Sequence, residues 1–251
     1  NNKVSGILIC HDSIPEVIDE AINLGYNLII SFHPILFKGI KKLTPNNYVN
    51  RSIIKAVKND ISIFSTHTAL DNSKFGVNMQ LCKEIGVRET KILFPKNETI
   101  KKLTTFIPSE SAHKLKDEIF KTGAGSIGKY ENCSFSFEGV GTFKGNKESK
   151  PTIGKKLQNT NQNESCVNIT FLKHLEEKVL TALKNTHPYE EIAYEIKTLE
   201  NYNENIGMGM HGELKNPVSE KEFLAFLKNK LNIKFVKHSK LLGKQVKKVA
   251  V

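Results

Sequence analysis

The sequence is 251 residues long, carries a formal net charge of +11 and is 39% hydrophobic. This length suits two modest domains, each with its own core. No apolar run approaches the length of a membrane span, so we expect no membrane partner. The four cysteines are far apart, without a CxxC pair, and are typical of core thiols in a reducing compartment. Because no secretory pattern precedes the first predicted strand, we expect a cytoplasmic protein.

Much of the positive charge lies in a stripe of lysines near the end of the sequence. These are Lys228, Lys230, Lys234, Lys237, Lys240, Lys244, Lys247 and Lys248. Such a stripe can attract nucleic acid through the release of counterions. Because the spacing shows no base-reading module, we favour a solvated lysine-rich face and expect no nucleic-acid partner.

The first hundred residues alternate strands with helices. The predicted strands are 4–10, 28–31, 61–66 and 92–94. One helix begins at Pro15, a favoured first helical residue, and ends before Gly25. A second helix follows a cap at Asn50, and a third spans 76–85. This alternation predicts a parallel α/β sheet covered by helices on both faces.

The pattern changes near residue 101. The predicted strands here are 103–107, a strand that starts at 134, 166–172 and 192–199. A helix capped by Ser109 and a helix over 175–183 lie between them. The polar stretch 144–164 is predicted to be a long mobile loop. The order β-α-β-β-α-β is typical of a ferredoxin-like sandwich, which is an α+β unit.

After residue 200 the sequence is predicted to return to the first domain. Residues 207–212 form a glycine-rich crossing, and Ser219 caps a helix. Strands at 233–236 and 246–251 would rejoin the first sheet. We therefore expect a parallel-type α/β domain in two segments, 1–100 and 201–251, interrupted by a ferredoxin-like domain at 101–200. Because apolar strands stand at both ends, we also expect the chain to lack material there and its α/β domain to be incomplete at the C-terminus.

Two predicted strands deliver metal-binding side chains to one edge of the sheet. His33 follows the strand 28–31, and Pro34 holds it in an extended conformation. His67 and Asp71 follow the strand 61–66. Imidazole and carboxylate groups together suit a divalent ion, so His33 and Asp71 are candidate ligands, with His67 beside them as a supporting or cavity residue. The residues alone leave open the alternative that His33 is a hydrogen-bonded structural histidine.

These segments also carry a resemblance to a known family. The matching segments are Val17-Ile18-Asp19-Glu20-Ala21-Ile22, Asn27-Leu28-Ile29-Ile30-Ser31-Phe32-His33-Pro34-Ile35-Leu36-Phe37-Lys38-Gly39-Ile40-Lys41, His67-Thr68-Ala69-Leu70-Asp71, Gly76-Val77-Asn78, His187-Pro188-Tyr189-Glu190-Glu191 and Gly207-Met208-Gly209-Met210-His211-Gly212-Glu213-Leu214. The chain resembles the NGG-interacting factor three-like family over nearly its whole length. Members of that family are also called GTP cyclohydrolase I type 2 homologs, or dinuclear metal centre proteins.

The resemblance implies a toroidal homohexamer with two divalent ions per subunit. The implied ligands are two adjacent histidines, an aspartate, and a histidine and glutamate near the C-terminus. His33 matches the second adjacent histidine and Asp71 the aspartate, whereas Phe32 stands where the first histidine would be. The C-terminal pair has no counterpart before Val251. We therefore expect a weakened or partial site for zinc, iron or manganese in this chain.

Two functions remain open at this stage. One is a metal-dependent hydrolase with an unknown substrate, in which a bound ion lowers the pKa of water. The other is a non-catalytic metal-binding scaffold or regulator, whose inserted domain, similar to PII and CutA proteins by the same resemblance, senses a small-molecule ligand or a partner. His187 fits a helix-ending turn better than a ligand site, and His211, in the glycine-rich crossing, is a weak candidate for lining the cavity.

Overall fold

The computed structural model describes residues 3–251, which form two compact units. The first unit combines the residues up to Phe94 with Asn205–Val251, and the second comprises Pro95–Glu204. The predicted insertion at 101–200 lies within the second unit. None of the helices formed by residues 3–251 combines the length and apolar composition needed to pass through a lipid bilayer.

Residues 3–251 form ten strands and seven α-helices. The strands are β1 (Ile7–Cys10), β2 (Leu28–Ser31), β3 (Ser62–Ser65), β4 (Arg88–Pro95), β5 (Ile100–Pro108), β6 (Phe135–Lys144), β7 (Asn159–Leu172), β8 (Tyr194–Leu199), β9 (Gly207–Ser219) and β10 (Gln245–Ala250). The helices are α1 (Pro15–Leu24), α2 (Tyr48–Lys58), α3 (His67–Asp71), α4 (Val77–Glu84), α5 (Ala112–Phe120), α6 (Glu176–Thr186) and α7 (Glu220–Lys230).

Strand β2 lies between β1 and β3 in a parallel sheet of the first unit. The register pairs Cys10 with Ser31, and Ser31 with Ser65, so the three strands end at one edge. Helix α1 begins at Pro15, as predicted, and ends at Gly25. A φ of 68° at Gly25 suits glycine, which has no Cβ to clash with the preceding turn.

Helices α1 and α2 cover one face of this parallel sheet. Ile18, Ile29 and Ala56 meet there in one buried cluster. On the opposite face, Ile9 of β1 and Phe64 of β3 both pair with the same residue of β2, and they are 78% and 61% exposed. The prediction of helices on both faces is therefore wrong for residues 3–251.

Helix α2 begins earlier than its sequence predicts. Asn47, rather than Asn50, is the N-cap, and its side-chain oxygen accepts a hydrogen bond from the Asn50 N–H at 2.8 Å. Asn50 is buried inside the first turn and donates its side-chain amide to the Thr44 carbonyl at 2.7 Å. The sequence does not decide which asparagine is the N-cap, because the side chain of either one can accept a hydrogen bond from a backbone N–H.

A second sheet of the first unit has the strand order β10-β9-β4. The prediction of a glycine-rich crossing at 207–212 is wrong, because these residues begin β9. Gly212 allows this pairing, since a Cβ there would clash with the Arg88 carbonyl of β4. The predicted strand at 233–236 has no regular structure, and the predicted strand 246–251 pairs with β9 instead of rejoining the parallel sheet.

The second unit is an antiparallel sheet with the strand order β6-β7-β5-β8. Together with α5 and α6 this is the ferredoxin-like order β-α-β-β-α-β. One face of the sheet packs Leu103 and Ile169 against Leu115 of α5 and Leu183 of α6, and all four side chains are buried. The opposite face carries Phe106 and is free of these helices.

Two predictions for the second unit are wrong. Ser109 does not cap a helix: it begins a short 3₁₀ turn, and its hydroxyl donates to the Glu138 carboxylate instead. The predicted loop 144–164 is too long, because β6 runs to Lys144 and β7 starts at Asn159, opposite it. Strand pairing across the hairpin overrides the polar composition of 159–164.

Helix α7 has the start that its sequence predicts. The Ser219 hydroxyl accepts from the Glu222 N–H, while the Glu222 carboxylate accepts from the Ser219 N–H at 2.9 Å. This reciprocal pair is a capping box, which satisfies two backbone donors at once.

Candidate metal centre

The candidate centre lies at the edge where the three parallel strands end. Beyond the strands, the His33 N–H donates to the His11 carbonyl at 3.0 Å, and the His67 N–H donates to the Phe32 carbonyl at 2.9 Å. The strand register therefore continues for one or two residues into each loop. It brings three chain segments, each carrying a histidine, to the same place.

His11, Asp12 and His33 form a compact group of metal-binding side chains. One ligand atom from each residue lies within 4.8 Å of the others. The Asp12 carboxylate accepts a hydrogen bond from Nδ1 of His33 at 2.8 Å, and the rings of His11 and His33 have centroids 4.5 Å apart. Two imidazoles and one carboxylate suit a divalent ion such as zinc, iron or manganese.

Phe32 lies inside this group of rings as an apolar wall. Its ring is stacked on His11, with centroids 5.5 Å apart and 12° between the planes. It also meets the rings of His33 and His67 at 5.0 and 5.7 Å. A phenyl ring donates no lone pair, so its contacts shape the site without binding an ion.

His67 borders the same group from the third strand. Its ring centroid is 5.8 Å from that of His33 and 5.6 Å from that of Phe37. The backbone at His67 has a φ of 32°, which is uncommon for a residue other than glycine. Strained backbone of this kind is concentrated at functional sites.

Two serine hydroxyls hold the backbone of His33 in place. Ser31 is buried, and its hydroxyl lies 2.8 Å from the Ser65 hydroxyl and donates to the His33 carbonyl at 2.9 Å. The Ser65 hydroxyl reaches the same carbonyl at 3.3 Å. Both hydroxyls come from the ends of neighbouring strands, so the sheet fixes the loop that carries His33.

Asp71 is the last residue of the short helix α3, which the sequence did not predict. Its carbonyl accepts from the Asn78 side-chain amide at 2.8 Å. It does not belong to the group formed by His11, Asp12 and His33. The assignment of Asp71 as a metal ligand stays a prediction, and so does the common cavity for His33 and Asp71.

An open cavity of about 530 Å³ adjoins the group within the first unit. Its lining includes Asp12, His33, Leu36 and Tyr48, and Asp71 is not among the lining residues. A small substrate could therefore reach Asp12 and His33 from this side. His211, the other candidate from the sequence, is exposed on β9.

The residues that sequence reasoning missed are His11 and Asp12. They follow the first strand directly, just as Phe32 and His33 follow the second. Applying the strand-end rule to all three strands would have found them. Burial raises the pKa of the neighbouring Cys10 thiol above its ordinary value.

The chain is similar to several known proteins over its full length. The family model described as Duf34/NIF3 (NGG1p interacting factor 3) matches residues 1–251. A protein of Bacillus subtilis named GTP cyclohydrolase 1 type 2 homolog is 36% identical, and one of Halalkalibacterium halodurans with the same name is 33% identical; the match covers 100% of this chain and 68% of each relative.

A solved structure supports the same relationship. The crystal structure of a Bacillus cereus protein related to NIF3 has a TM-score of 0.78 and 35% sequence identity, and the match covers 100% of this chain and 67% of that one. A Staphylococcus aureus protein gives a TM-score of 0.68 at 29% identity, with 100% and 65% covered. This chain thus spans about two thirds of the length of these proteins. The chain belongs to the Duf34/NIF3 family.

Proposed function

We propose that this chain binds a divalent metal ion through His11, Asp12 and His33. The observation that carries the proposal is the mutual approach of their three ligand atoms to within 4.8 Å. The hydrogen bond from His33 to Asp12 orients the imidazole, which is how carboxylates support histidine ligands in metal sites. Zinc, iron and manganese are the ions that such a donor set suits.

We further propose that the protein is a metal-dependent hydrolase-like enzyme of unknown substrate. A divalent ion bound here would supply an activated water at neutral pH. The chain itself would hold the ion, and the open cavity beside Asp12 and His33 would admit the substrate. The name of the relatives, GTP cyclohydrolase 1 type 2 homolog, makes GTP the first compound to test.

The second candidate is a non-catalytic scaffold, and Phe32 is the observation that favours it. A phenyl ring among the imidazoles removes one donor and leaves an apolar wall. In this alternative the ion has a structural role in a cytoplasmic homohexameric ring. Light scattering of the purified protein tests the hexamer.

Metal titration by calorimetry tests the binding site. We expect His11→Ala and Asp12→Asn each to weaken zinc or manganese binding by about tenfold or more, because each loses one donor. Phe32→His should tighten binding by about tenfold or more, because it adds a donor. Phe64→His, on the exposed face of β3, is the matched control and should leave the site unchanged.

The outcomes separate the proposals. Equal, stoichiometric binding by the wild type and the His11→Ala and Asp12→Asn variants would refute the three-residue site. Turnover of GTP or a phosphoester that requires the added metal supports the hydrolase, and metal binding without turnover supports the scaffold. Activity that persists fully in chelator would eliminate the metal mechanism.

A further inference from the structure

The second unit contains a cavity of about 690 Å³ on the face of its sheet that the helices leave free. Its wall includes three residues that lie side by side on neighbouring strands. Cys166 of β7 pairs with Phe106 of β5 on one side and with Phe137 of β6 on the other. Phe143 and Tyr189 add two more rings, with centroids 6.1 Å apart. Four aromatic rings therefore contribute to the lining of the cavity.

A tethered loop forms another wall of this cavity. The Lys150 N–H donates to the Glu190 carboxylate at 2.7 Å, and the Thr152 hydroxyl donates to the Pro188 carbonyl at 2.7 Å. These bonds tie the loop between β6 and β7 to the turn that follows α6. The cavity is thus enclosed by segments that are far apart in sequence but hydrogen-bonded to one another.

Glu164 is a buried carboxylate in this aromatic cavity. Only 8% of the residue is exposed, and the Tyr189 hydroxyl donates to Oε1 at 2.7 Å. A Cβ on Gly141 would clash with the Glu164 carboxylate, so glycine at this position makes room for it. In the described part of the chain, no lysine, arginine or histidine forms an ion pair with Glu164.

The neighbours of Glu164 do not supply a positive charge. Burial and the hydrogen bond to Glu164 raise the pKa of the Tyr189 phenol, which therefore acts as a neutral donor. His187 uses both ring nitrogens on backbone atoms: Nδ1 accepts from the Tyr189 N–H at 3.1 Å, and Nε2 donates to the Phe106 carbonyl at 3.0 Å. An ionised carboxylate buried without a counter-charge is costly, and a ligand of opposite charge would offset that cost.

We propose that this cavity binds a small organic cation, an aromatic or alicyclic amine whose ammonium group pairs with Glu164. The apolar part of the ligand would pack against Phe106, Phe137 and Phe143, and the ammonium would also gain from the aromatic faces. Glu190 and Glu191 line the same cavity, whereas Lys144 is the one cationic side chain that the described residues contribute to its lining. This balance favours a cation over an anion of the same shape. The inference stands on the second unit alone and does not depend on the metal site.

Calorimetry with 2-phenylethylammonium tests the proposal on the full chain. We expect one saturable site in the wild type, and binding at least about tenfold weaker for Glu164→Gln, which keeps an acceptor for Tyr189 but loses the charge. The uncharged 2-phenylethanol and the anion benzoate should bind at least about tenfold more weakly than the amine. Glu177→Gln, an exposed change on α6, is the matched control and should bind like the wild type.

A second variant tests the same cavity in case Glu164→Gln fails to fold. Phe137 is 53% exposed, so Phe137→Ala should fold normally while removing part of the aromatic wall, and we expect binding several-fold weaker. Equal affinity of the amine for the wild type and for Glu164→Gln would overturn the ion pair. Equal affinity for amine and alcohol, or no saturation by the amine, would overturn the proposal as a whole.

Discussion

Phe32 and His11 lie side by side at neighbouring strand ends of the candidate centre. The imidazole expected at position 32 is replaced by a phenyl ring, and the imidazole of His11 is stacked on that ring from the adjacent strand end. His11 can therefore supply a donor within reach of Asp12 and His33. The family resemblance indicated the missing imidazole at position 32, but the sequence analysis did not select His11.

His187 is a second residue whose role follows from its hydrogen bonds. Both of its ring nitrogens are bound to backbone atoms, so its preferred interpretation from the sequence, a histidine in a helix-ending turn, agrees with the structure. Burial lowers its pKa below the ordinary value, although the bond to Phe106 and the charge of Glu164 oppose this shift. The buried ring is therefore neutral in the folded protein near neutral pH.

This pKa shift predicts a loss of stability in mild acid. Because the folded state takes up the proton less readily than the unfolded state, the contribution of His187 is complete above the unfolded pKa of about 6.5 and declines as the pH falls below it. We expect the midpoint temperature of thermal unfolding, Tm, to fall between pH 7 and pH 5, and the fall to be smaller in His187→Gln. The measurement is calorimetric Tm as a function of pH.

His113 provides the control for that experiment. Its side chain is 86% exposed, with Nδ1 3.0 Å from an Asp117 carboxylate oxygen in the same unit. His113→Gln should leave the slope of Tm against pH close to that of the wild type. A slope that His187→Gln leaves unchanged would contradict the assignment.

At the scale of elements, the sequence predicted regular local structure well. Helix α1, with Pro15 at its start and Gly25 at its end, and helix α7, with its Ser219 cap, follow from signals within a few residues. The ends of β2 also agree with the prediction. These features depend on local geometry, which residues close together in the sequence determine.

Features that depend on distant pairing were predicted poorly. The polar residues at the start of β7 are strand because β6 lies beside them, and β9 begins at Gly207 because it pairs with strands distant in sequence. For the same reason the predicted sheet order failed for β10. In the candidate centre, His33 follows β2 and His67 follows β3, whereas helix α3, which begins at His67 and ends at Asp71, has no comparable sequence signal.

Gly25 gives a direct test of how much backbone geometry matters at a helix end. Gly25→Ala should destabilise the fold by about 1–2 kcal/mol, because alanine adopts the left-handed conformation at a cost. Apart from its chain neighbours, no part of residues 3–251 lies within 4 Å of the added Cβ, so the effect comes from the backbone. Urea unfolding measures the difference.

Gly39 is the matched control for Gly25. A Cβ there also meets open space, but its backbone does not have a positive φ. Gly39→Ala should therefore be neutral or slightly stabilising. If both changes have the same effect on the free energy of unfolding, the left-handed cap is not the cause.

At the scale of the whole molecule, the two units have separate cores. Leu183 is buried in the core of the second unit, and Ile29 in that of the parallel sheet in the first. Each core is built from side chains of its own unit. A cavity created in one core should therefore act mainly on the unit that contains it.

A pair of reciprocal substitutions tests this independence. Leu183→Ala should cost about 2–5 kcal/mol and speed amide hydrogen exchange in 95–204, and Ile29→Ala should do the same in the first unit. Mass spectrometry of peptides from each unit measures the exchange. Equal loss of protection in both units from either change would show that the units unfold together.

The paired serine hydroxyls that hold the His33 carbonyl also determine how the candidate centre can move. Ser31 and Ser65 hold the loop after β2 at the strand ends, and the His67 N–H bonds the loop after β3 to the Phe32 carbonyl, so we expect the two loops to move together. A displacement that begins at His67 would be transmitted to His33 through the edge of the sheet. We therefore expect adjustment of the cavity to fall to its other side, where the segment 36–40 has no such hydrogen bond within residues 3–251.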